Sequence, residues 1–207
     1  MQTFEMQPTP RLKHIEQLAD GWIKKYLLTY AMPNGTDHVY EVASRKSIDA
    51  YRALLEANGA GMPPTTADAM CIVARTPRDT LVLIREFRYP LNSWCIAFPA
   101  GLIEAGEDIV TCADRELREE TGYAIVPGTT PKPLPQAGYS STGMTDETVH
   151  VLFVEAEKVE EAHVEPNELI DVFELPLSDV RRFLDENTLP IGTRAQLVLE
   201  LFAHQEQ

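Results

Sequence analysis

Hydrophobic residues near the N-terminus fall in two stretches that are typical of β-strands. The stretches WIKKYLLTYAMP and HVYEVASR lie between about Ile23 and Ser44, and the residues NGTD separate them. Because Asn-Gly favours a tight turn, we expect a hairpin or meander here. The following stretch, SIDAYRALLEANGAGMPPTT, ends in Gly and Pro, and we interpret it as a short helix or an irregular connection.

Farther along the chain, apolar runs of strand length alternate with stretches of helical spacing. The runs AMCIVA, TLVLIREFR, VHVLFVEAEKV and LIDVFELPL predict strands. From Asp108 onward, apolar residues recur at Ile109, Cys112, Ala113 and Leu117, and this spacing predicts a helix. The stretches SDVRRFLDEN and TRAQLVLELFAHQ predict two C-terminal helices. The pattern therefore predicts an α+β protein.

Length and composition fit an ordinary globular protein. The chain has 207 residues, of which 44% are hydrophobic and 24% charged. We expect a β-rich N-terminal extension over residues 1–60 and one main domain over residues 61–207. No window approaches 18 uninterrupted apolar residues, which argues against a transmembrane helix and a membrane partner.

The net charge limits the kinds of partner this protein can bind, and its cysteines indicate the cellular compartment. The net charge of −14 argues against nucleic acid as a partner, because binding to a phosphate backbone depends on Lys and Arg. The N-terminal residues show no secretory signal. Three cysteines without a CxxC pair then predict reduced core thiols in a cytoplasmic protein. An acidic protein that binds a small anion needs a local positive charge, which a metal ion can supply.

A cluster of glutamates follows the loop PAGLIEAGED. On a helix, Glu116, Glu119 and Glu120 share one face, where like charges repel by a few tenths of a kcal/mol per pair. They also lie near the helix C-terminus, where the macrodipole disfavours anions. Divalent cations bound among the carboxylates would relieve this repulsion, and hard oxygen ligands suit Mg²⁺ or Mn²⁺. A solvated glutamate-rich helix is the alternative.

The segment GLIEAGEDIVTCADRELREETGY resembles the Nudix box, G-x5-E-x7-R-E-U-x-E-E-x-G-U, where U is apolar. Its fixed positions are filled in register by Gly101, Glu107, Arg115, Glu116, Leu117, Glu119, Glu120 and Gly122. The final position is Tyr123, which is bulkier than the usual aliphatic residue. Chance agreement at this many spaced positions is very unlikely.

The resemblance implies an α/β/α sandwich with a mixed sheet and Mg²⁺-dependent hydrolysis of a nucleoside diphosphate linked to another group. Mn²⁺ is expected to substitute for Mg²⁺. The implied metal ligands are Glu116, Glu119, Glu120 and the carbonyl of Ala100. The implied structural residues of the motif are Gly101, Glu107, Arg115 and Gly122.

Residues outside the box resemble the ADP-ribose and nucleotide-sugar pyrophosphatase branch of the family. The stretches REFRYP, FPAGLIEAGE and GYSSTGMTDETVHVLFVEA carry this resemblance. It implies hydrolysis to a nucleoside monophosphate and a sugar phosphate, and a homodimer whose N-terminal strands cross to the partner. Relatives commonly carry an acid where this chain has Ala97, which weakens the ADP-ribose assignment.

Candidate substrate-binding residues follow from that resemblance. Arg88 and Arg45 are candidates for phosphate, Tyr40 and Glu41 for a base, and the residues from 142 to 144 for the terminal sugar. The last group consists of Thr142, Gly143 and Met144. Glu168, with Glu165 as the alternative, is the candidate general base or additional metal ligand, and Glu119 and Glu120 are included among the catalytic residues.

Other functions remain open from the sequence. A Nudix-fold sensor that binds a nucleotide sugar without cleaving it is one alternative, although such proteins typically lose a box carboxylate. A hydrolase of nucleoside triphosphates or dinucleoside polyphosphates is another. The N-terminal extension and the REFR and FPAG segments argue against both of these enzymes.

Overall fold

The computed structural model describes residues 8–61 and 66–205, which divide into two compact units. The first unit contains the described residues before Ala67 together with Gly138–Thr148, and the second contains Ala67–Ala137 and the chain from Val149. The loop 138–148, which the sequence suggested would be part of the main domain, therefore groups with the N-terminal strands.

The first unit is an antiparallel sheet with one helix. The sheet consists of β1 Arg11–Asp20, β2 Lys24–Ala31 and β3 Asp37–Ser44, and the helix is α1 Ile48–Gly59. The two-residue strand β10 Gly138–Tyr139 falls within this unit but is not part of the three-stranded sheet. The strand order is β1–β2–β3, and α1 begins after Ser47, whose hydroxyl accepts a hydrogen bond from the Ala50 amide. A small core forms where Ile15, Tyr26 and Leu28 pack with Tyr51 of the helix.

Strand β1 was not predicted, because its sequence lacks a strand pattern. In RLKHIEQLAD, only Ile15 is fully buried, and most of the remaining side chains are exposed. Its pairing with β2 stabilises it, from Arg11 opposite Ala31 to Asp20 opposite Lys24. Backbone pairing thus determines this strand, while its side chains give little signal.

The second unit is built on a mixed sheet. Its strands are β4 Ala69–Arg75, β5 Thr80–Arg88, β6 Ser93–Ala97, β7 Ala100–Leu102, β8 Tyr123–Ile125, β9 Lys132–Pro133, β11 Thr148–Lys158 and β12 Ile170–Pro176. Its α-helices are α2 Ile109–Thr121, α3 Val180–Glu186 and α4 Thr193–Gln205. The pair β11–β4 is parallel, whereas β4–β5 and β5–β12 are antiparallel.

Helices cover both faces of this sheet. Alternate residues of a strand point to opposite faces. Met70 and Ile72 of β4 accordingly pack with Leu117 of α2, while Cys71 and Val73 pack in a separate cluster with residues of α3 and α4. The α+β class and the α/β/α layering predicted from the sequence are confirmed.

The three cysteines are buried free thiols, as expected. Among the described helices, none is long and apolar enough to cross a membrane.

Candidate active site

Helix α2 carries the motif, and its two ends are fixed by their sequence. The Asp108 carboxylate accepts hydrogen bonds from the amides of Val110 at 3.0 Å and Thr111 at 3.1 Å, so it caps the first turn. At the other end, Gly122 adopts a φ of +71°, and a Cβ there would lie 2.2 Å from the Glu160 carbonyl oxygen. Glycine at this motif position is therefore a steric requirement.

The three predicted metal ligands on α2 differ in exposure. Glu120 is only 7% exposed and lies on the same side as the core residue Leu117. Glu116 is largely buried, with 14% of its side chain exposed, whereas 51% of the Glu119 side chain is exposed. The three glutamates therefore share a helical face by spacing but not a common environment, because Glu120 is buried and Glu119 is exposed.

Glu120 is a buried carboxylate directed at the loop before the helix. Its Oε2 atom accepts a hydrogen bond from the Ala100 amide at 3.0 Å. Burial raises the pKa of Glu120 well above its ordinary value, the Ala100 hydrogen bond lowers it, and the charges of Glu116, Glu86 and Glu168 raise it further. A buried carboxylate among like charges is the environment that a bound cation stabilises.

Gly101 lets the loop approach Glu116 closely. A Cβ at position 101 would lie 1.9 Å from the Glu116 carboxyl carbon and 2.0 Å from its Oε1. A side chain at position 101 would thus displace the Glu116 carboxylate, and this contact accounts for the glycine because its φ is not in the left-handed region. Burial raises the pKa of Glu116, and Arg115 partly offsets the increase.

Arg115 joins the loop to the helix. Its Nε and Nη2 atoms donate to the two Glu107 carboxylate oxygens at 2.9 and 3.0 Å, and Nη2 also donates to the Leu102 carbonyl at 3.2 Å. Its Nη1 donates to Glu116 at 2.8 Å and to Glu119 at 3.2 Å. The Arg115 hydrogen bonds lower the pKa of Glu107 to about 2. Arg115 and Glu107 thus tie the loop to α2.

Glu168 lies near the glutamates of α2, and Glu165 turns toward solvent. The charge of Glu168 contributes to raising the pKa values of Glu86, Glu116 and Glu120. Glu165 is exposed, and its amide donates to the Glu168 Oε2 atom at 3.3 Å. Of the two alternatives, the structure brings Glu168 toward the motif.

Arg88, a candidate phosphate ligand, is bonded to a carboxylate that the sequence reasoning missed. Its Nη2 atom lies 2.8 Å from Glu86 Oε2, and only 15% of the Glu86 side chain is exposed. Strand alternation offered a signal, because Glu86 is two residues from Arg88 and so lies on the same face of β5.

The candidate base and sugar ligands lie in the first unit. The Tyr40 hydroxyl donates to the Gly143 carbonyl at 2.9 Å, and the Ala43 amide donates to the Met144 carbonyl at 2.9 Å. Loop 138–148 thus extends the edge of β3 and carries the exposed Thr142 with it.

Charged residues of the first unit pair within it. Arg45 Nη1 lies 2.5 Å from Glu147 Oε1, and Glu41 Oε2 lies 2.7 Å from Lys25 Nζ. Arg45 and Glu41 therefore have protein partners of opposite charge.

The three glutamates of α2 suit a divalent cation in their ligand chemistry and burial, although their carboxylates are not gathered around one point. Within residues 8–61 and 66–205, no three His, Cys, Asp or Glu side chains form a ready metal-binding group. Arg115 engages Glu116 and Glu119, while the Ala100 amide engages Glu120. The residues fit the cation because the buried Glu120 charge needs a partner and because Gly101 lets the loop lie directly against the Glu116 carboxylate.

The chain is similar in sequence to known proteins. Residues 64–194 match the NUDIX domain family. The chain is 30% identical over 194 residues to an ADP-ribose pyrophosphatase of Saccharomyces cerevisiae, covering 91% of this chain and 80% of the relative. It is 30% identical over 200 residues to an ADP-sugar pyrophosphatase of Mus musculus, covering 89% and 84%.

A solved structure shares the fold. The crystal structure of an ADP compounds hydrolase superposes with a TM-score of 0.72 at 20% identity, covering 98% of this chain and 96% of the other.

Proposed function

Because this chain belongs to the Nudix family of hydrolases, we propose that it cleaves the diphosphate of ADP-ribose or a related nucleoside diphosphate sugar with the help of Mg²⁺. The products are a nucleoside monophosphate and a sugar phosphate, and Mn²⁺ substitutes for Mg²⁺. The names of the yeast and mouse relatives support this substrate class. The observation that carries the proposal is the buried Glu120 carboxylate held against the loop at Ala100.

The carboxylates of α2 are the proposed cation ligands, together with the carbonyl of Ala100. A divalent cation, when bound, neutralises charge on the diphosphate oxygens and lowers the pKa of a water. Glu116 and Glu120 would hold it from partly or fully buried positions, and Glu119 would contribute from the exposed side of the helix. The Ala100 amide fixes the orientation of the Glu120 carboxylate.

Glu168 is the proposed general base. Its Oε2 atom accepts the Glu165 amide, which anchors the side chain, and Oε1 accepts a proton from the water that attacks phosphorus. Arg88 and Arg45 are the proposed phosphate ligands, although both are paired with glutamates at present. Tyr40 supplies a ring for stacking on a base, and its hydroxyl holds the loop at Gly143.

A substrate panel tests the proposal. The purified protein is incubated with Mg²⁺ or with EDTA and with ADP-ribose, other nucleoside diphosphate sugars, dinucleotides and nucleoside triphosphates. Products are identified by mass spectrometry in 18O water, with Glu157→Gln, an exposed residue of β11, as a matched control for Glu120→Gln. We expect Mg²⁺-dependent cleavage of a nucleoside diphosphate sugar.

The outcomes separate the alternatives. If no diphosphate is hydrolysed by the folded protein with Mg²⁺, the proposed enzyme activity is wrong. Recovery of tightly bound, intact nucleotide sugar would instead support a sensor. Preferential cleavage of nucleoside triphosphates or dinucleotides would replace the proposed substrate class.

We also propose a homodimer formed through the first unit. Support comes from its exposed apolar side chains, among which Trp22 is 73% exposed, Val39 55% and Ile23 52%. Sedimentation velocity over a range of protein concentrations tests the assembly, and Trp22→Ser is expected to weaken it. A monomer at every concentration would contradict the proposal. A cytoplasmic location and the absence of a nucleic-acid partner stay predictions.

A further inference from the structure

Glu86 is a largely buried carboxylate whose position the motif does not explain. Strand alternation places Glu86 and Arg88 on one face of β5 and Arg85 on the opposite face. Arg85 forms an exposed ion pair with Asp171 and stacks over Trp94. Glu86 has only 15% of its side chain exposed, and burial raises its pKa, which Arg88 lowers and Glu168 raises.

The loop that carries Glu168 is fastened beside Glu86. The Phe87 amide donates to the Leu169 carbonyl at 3.0 Å, and the Tyr89 hydroxyl donates to the Asn167 carbonyl at 3.0 Å. Ile170, at the start of β12, is in register with Glu86 itself. Two elements thus bring Glu86 and Glu168 together at the same end of the sheet.

The neighbouring strand β6 connects Glu86 to the motif. In the register of β5 and β6, Glu86 lies opposite Cys95 and Ile84 lies opposite Ala97. Directly opposed residues point to the same face, so Glu86 and Ala97 are diagonal neighbours on one surface. Three residues after Ala97 the chain reaches Ala100, whose amide holds Glu120.

On this face of the sheet, β5 carries the carboxylate of Glu86, and β6 carries the methyl group of Ala97 at the diagonal position. A carboxylate at either position would lie on the same face of the sheet. We propose that Glu86 is an additional active-site carboxylate that binds the divalent cation, directly or through its water ligands. Glu86 supplies from β5 the carboxylate that Ala97 cannot supply from β6. Arg88 neutralises Glu86 until the cation binds. The inference rests on the proposed function, because it assigns Glu86 to the same cation site.

Direct measurement of Mn²⁺ binding tests this inference without relying on turnover. Metal-free protein is titrated with Mn²⁺, and free Mn²⁺ is followed by electron paramagnetic resonance. Glu86→Gln is expected to weaken binding by about tenfold or more, in the range that supporting carboxylates of metal sites show. Asp171→Asn, on the opposite face beside Arg85, is the matched control and should bind as the unmodified chain does.

Moving the acid provides the decisive comparison. The double variant Glu86→Gln with Ala97→Glu should recover most of the Mn²⁺ affinity lost in the single variant. Circular dichroism checks that each variant is folded. If Glu86→Gln does not fold, Ala97→Glu alone gives the test, because an added acid at the diagonal position should tighten Mn²⁺ binding.

The results distinguish the inference from the proposed function. Unchanged Mn²⁺ affinity in folded Glu86→Gln, or in Ala97→Glu if that variant is used, would overturn the role of Glu86. If the unmodified protein binds no Mn²⁺, both the inference and the cation-dependent function are wrong. Weakened binding in Glu86→Gln, combined with no hydrolysis of any diphosphate sugar, would support the inference and overturn the substrate assignment.

Discussion

Replacement of Glu120 by glutamine should have opposite effects on stability and activity. The Glu120 carboxylate is 7% exposed and has the Ala100 amide as a hydrogen-bond donor. Glutamine keeps the shape and an oxygen for that donor while removing a buried charge. In the absence of divalent cations at pH 8, we therefore expect Glu120→Gln to unfold at a higher temperature than the unmodified protein.

The size of the expected increase in melting temperature follows from the burial of the Glu120 carboxylate. A buried polar group that lacks full hydrogen bonding costs about 1–3 kcal/mol, and more when it is charged. For a protein of this size, 1 kcal/mol shifts the melting temperature by about 2–4 °C. An increase of at least about 2 °C is expected. Activity should fall by about 10²-fold or more, because the removed charge is a proposed cation ligand.

The raised pKa of Glu120 determines the direction in which stability changes with pH. Burial raises the pKa of folded Glu120 above its ordinary value of 4.5. Its contribution to the free energy of unfolding is therefore fully present below pH 4.5 and is lost as pH rises through the folded pKa. Thermal melts in EDTA should show this loss in the unmodified protein and a smaller loss in Glu120→Gln. Added Mg²⁺ should restore stability to the unmodified protein by binding its folded state, and much less to the variant.

Glu174 provides a control in which the pH dependence of stability has the opposite sign. Burial alone would raise its pKa, yet hydrogen bonds from Thr80 and Tyr123 and the charge of Arg78 lower it. Its stabilising contribution is therefore present above pH 4.5 and is lost as pH falls through the folded pKa. Glu174→Gln should lower the melting temperature at pH 8. The reasoning is refuted if Glu120→Gln is destabilised to the same extent as Glu174→Gln in EDTA.

Two more substitutions test the loop that faces α2. Gly101→Ala should reduce activity by about 10-fold or more, because its Cβ would lie 1.9 Å from the Glu116 carboxyl carbon and would displace that proposed cation ligand. Arg115→Lys should shift acid unfolding to higher pH, because the Glu107 contribution is present above pH 4.5 and lost as pH falls toward about 2. Activity assays and melts from pH 2 to 8 measure both effects.

Each of these substitutions has a control. Gly138→Ala introduces a Cβ that has no atom of the described residues within 4 Å and does not require a positive φ, so it should change neither activity nor stability. Equal behaviour of the two alanine variants would refute the contact at Gly101. Arg75→Lys disrupts an exposed ion pair with Asp79 and should leave acid unfolding unchanged. An unchanged acid transition in Arg115→Lys would refute the role of the Glu107 ion pair.

The family and the fold could be predicted because the motif residues combine local and chemical requirements. Gly122 must reverse the chain after α2, and Gly101 must let the loop approach Glu116. These requirements fix residue types at fixed spacing, so a single sequence reveals them. The Nudix family and the α+β class are confirmed by the matched domain and the relatives.

What the sequence did not predict depends on tertiary pairing. Strand β1 has little alternation, so its pairing with β2 could not be seen in its residues. Glu86 was missed because the register of β5 with β6 and β12 decides that it is buried near Glu168. The burial of Glu120 could not be predicted because helical spacing gives relative directions of side chains, while the sheet determines which side is covered.

The pairing of charges is the reason why we expect a cation to bind before a diphosphate. Arg115 of the motif forms ion pairs with Glu107, Glu116 and Glu119. Arg88 of β5 forms an ion pair with Glu86. Their positive charge is therefore already neutralised within the protein. A chain with a net charge of −14 that gathers glutamates around such a loop repels an anionic substrate. Cation binding reverses that local field, so we expect the divalent cation to bind before or together with the diphosphate.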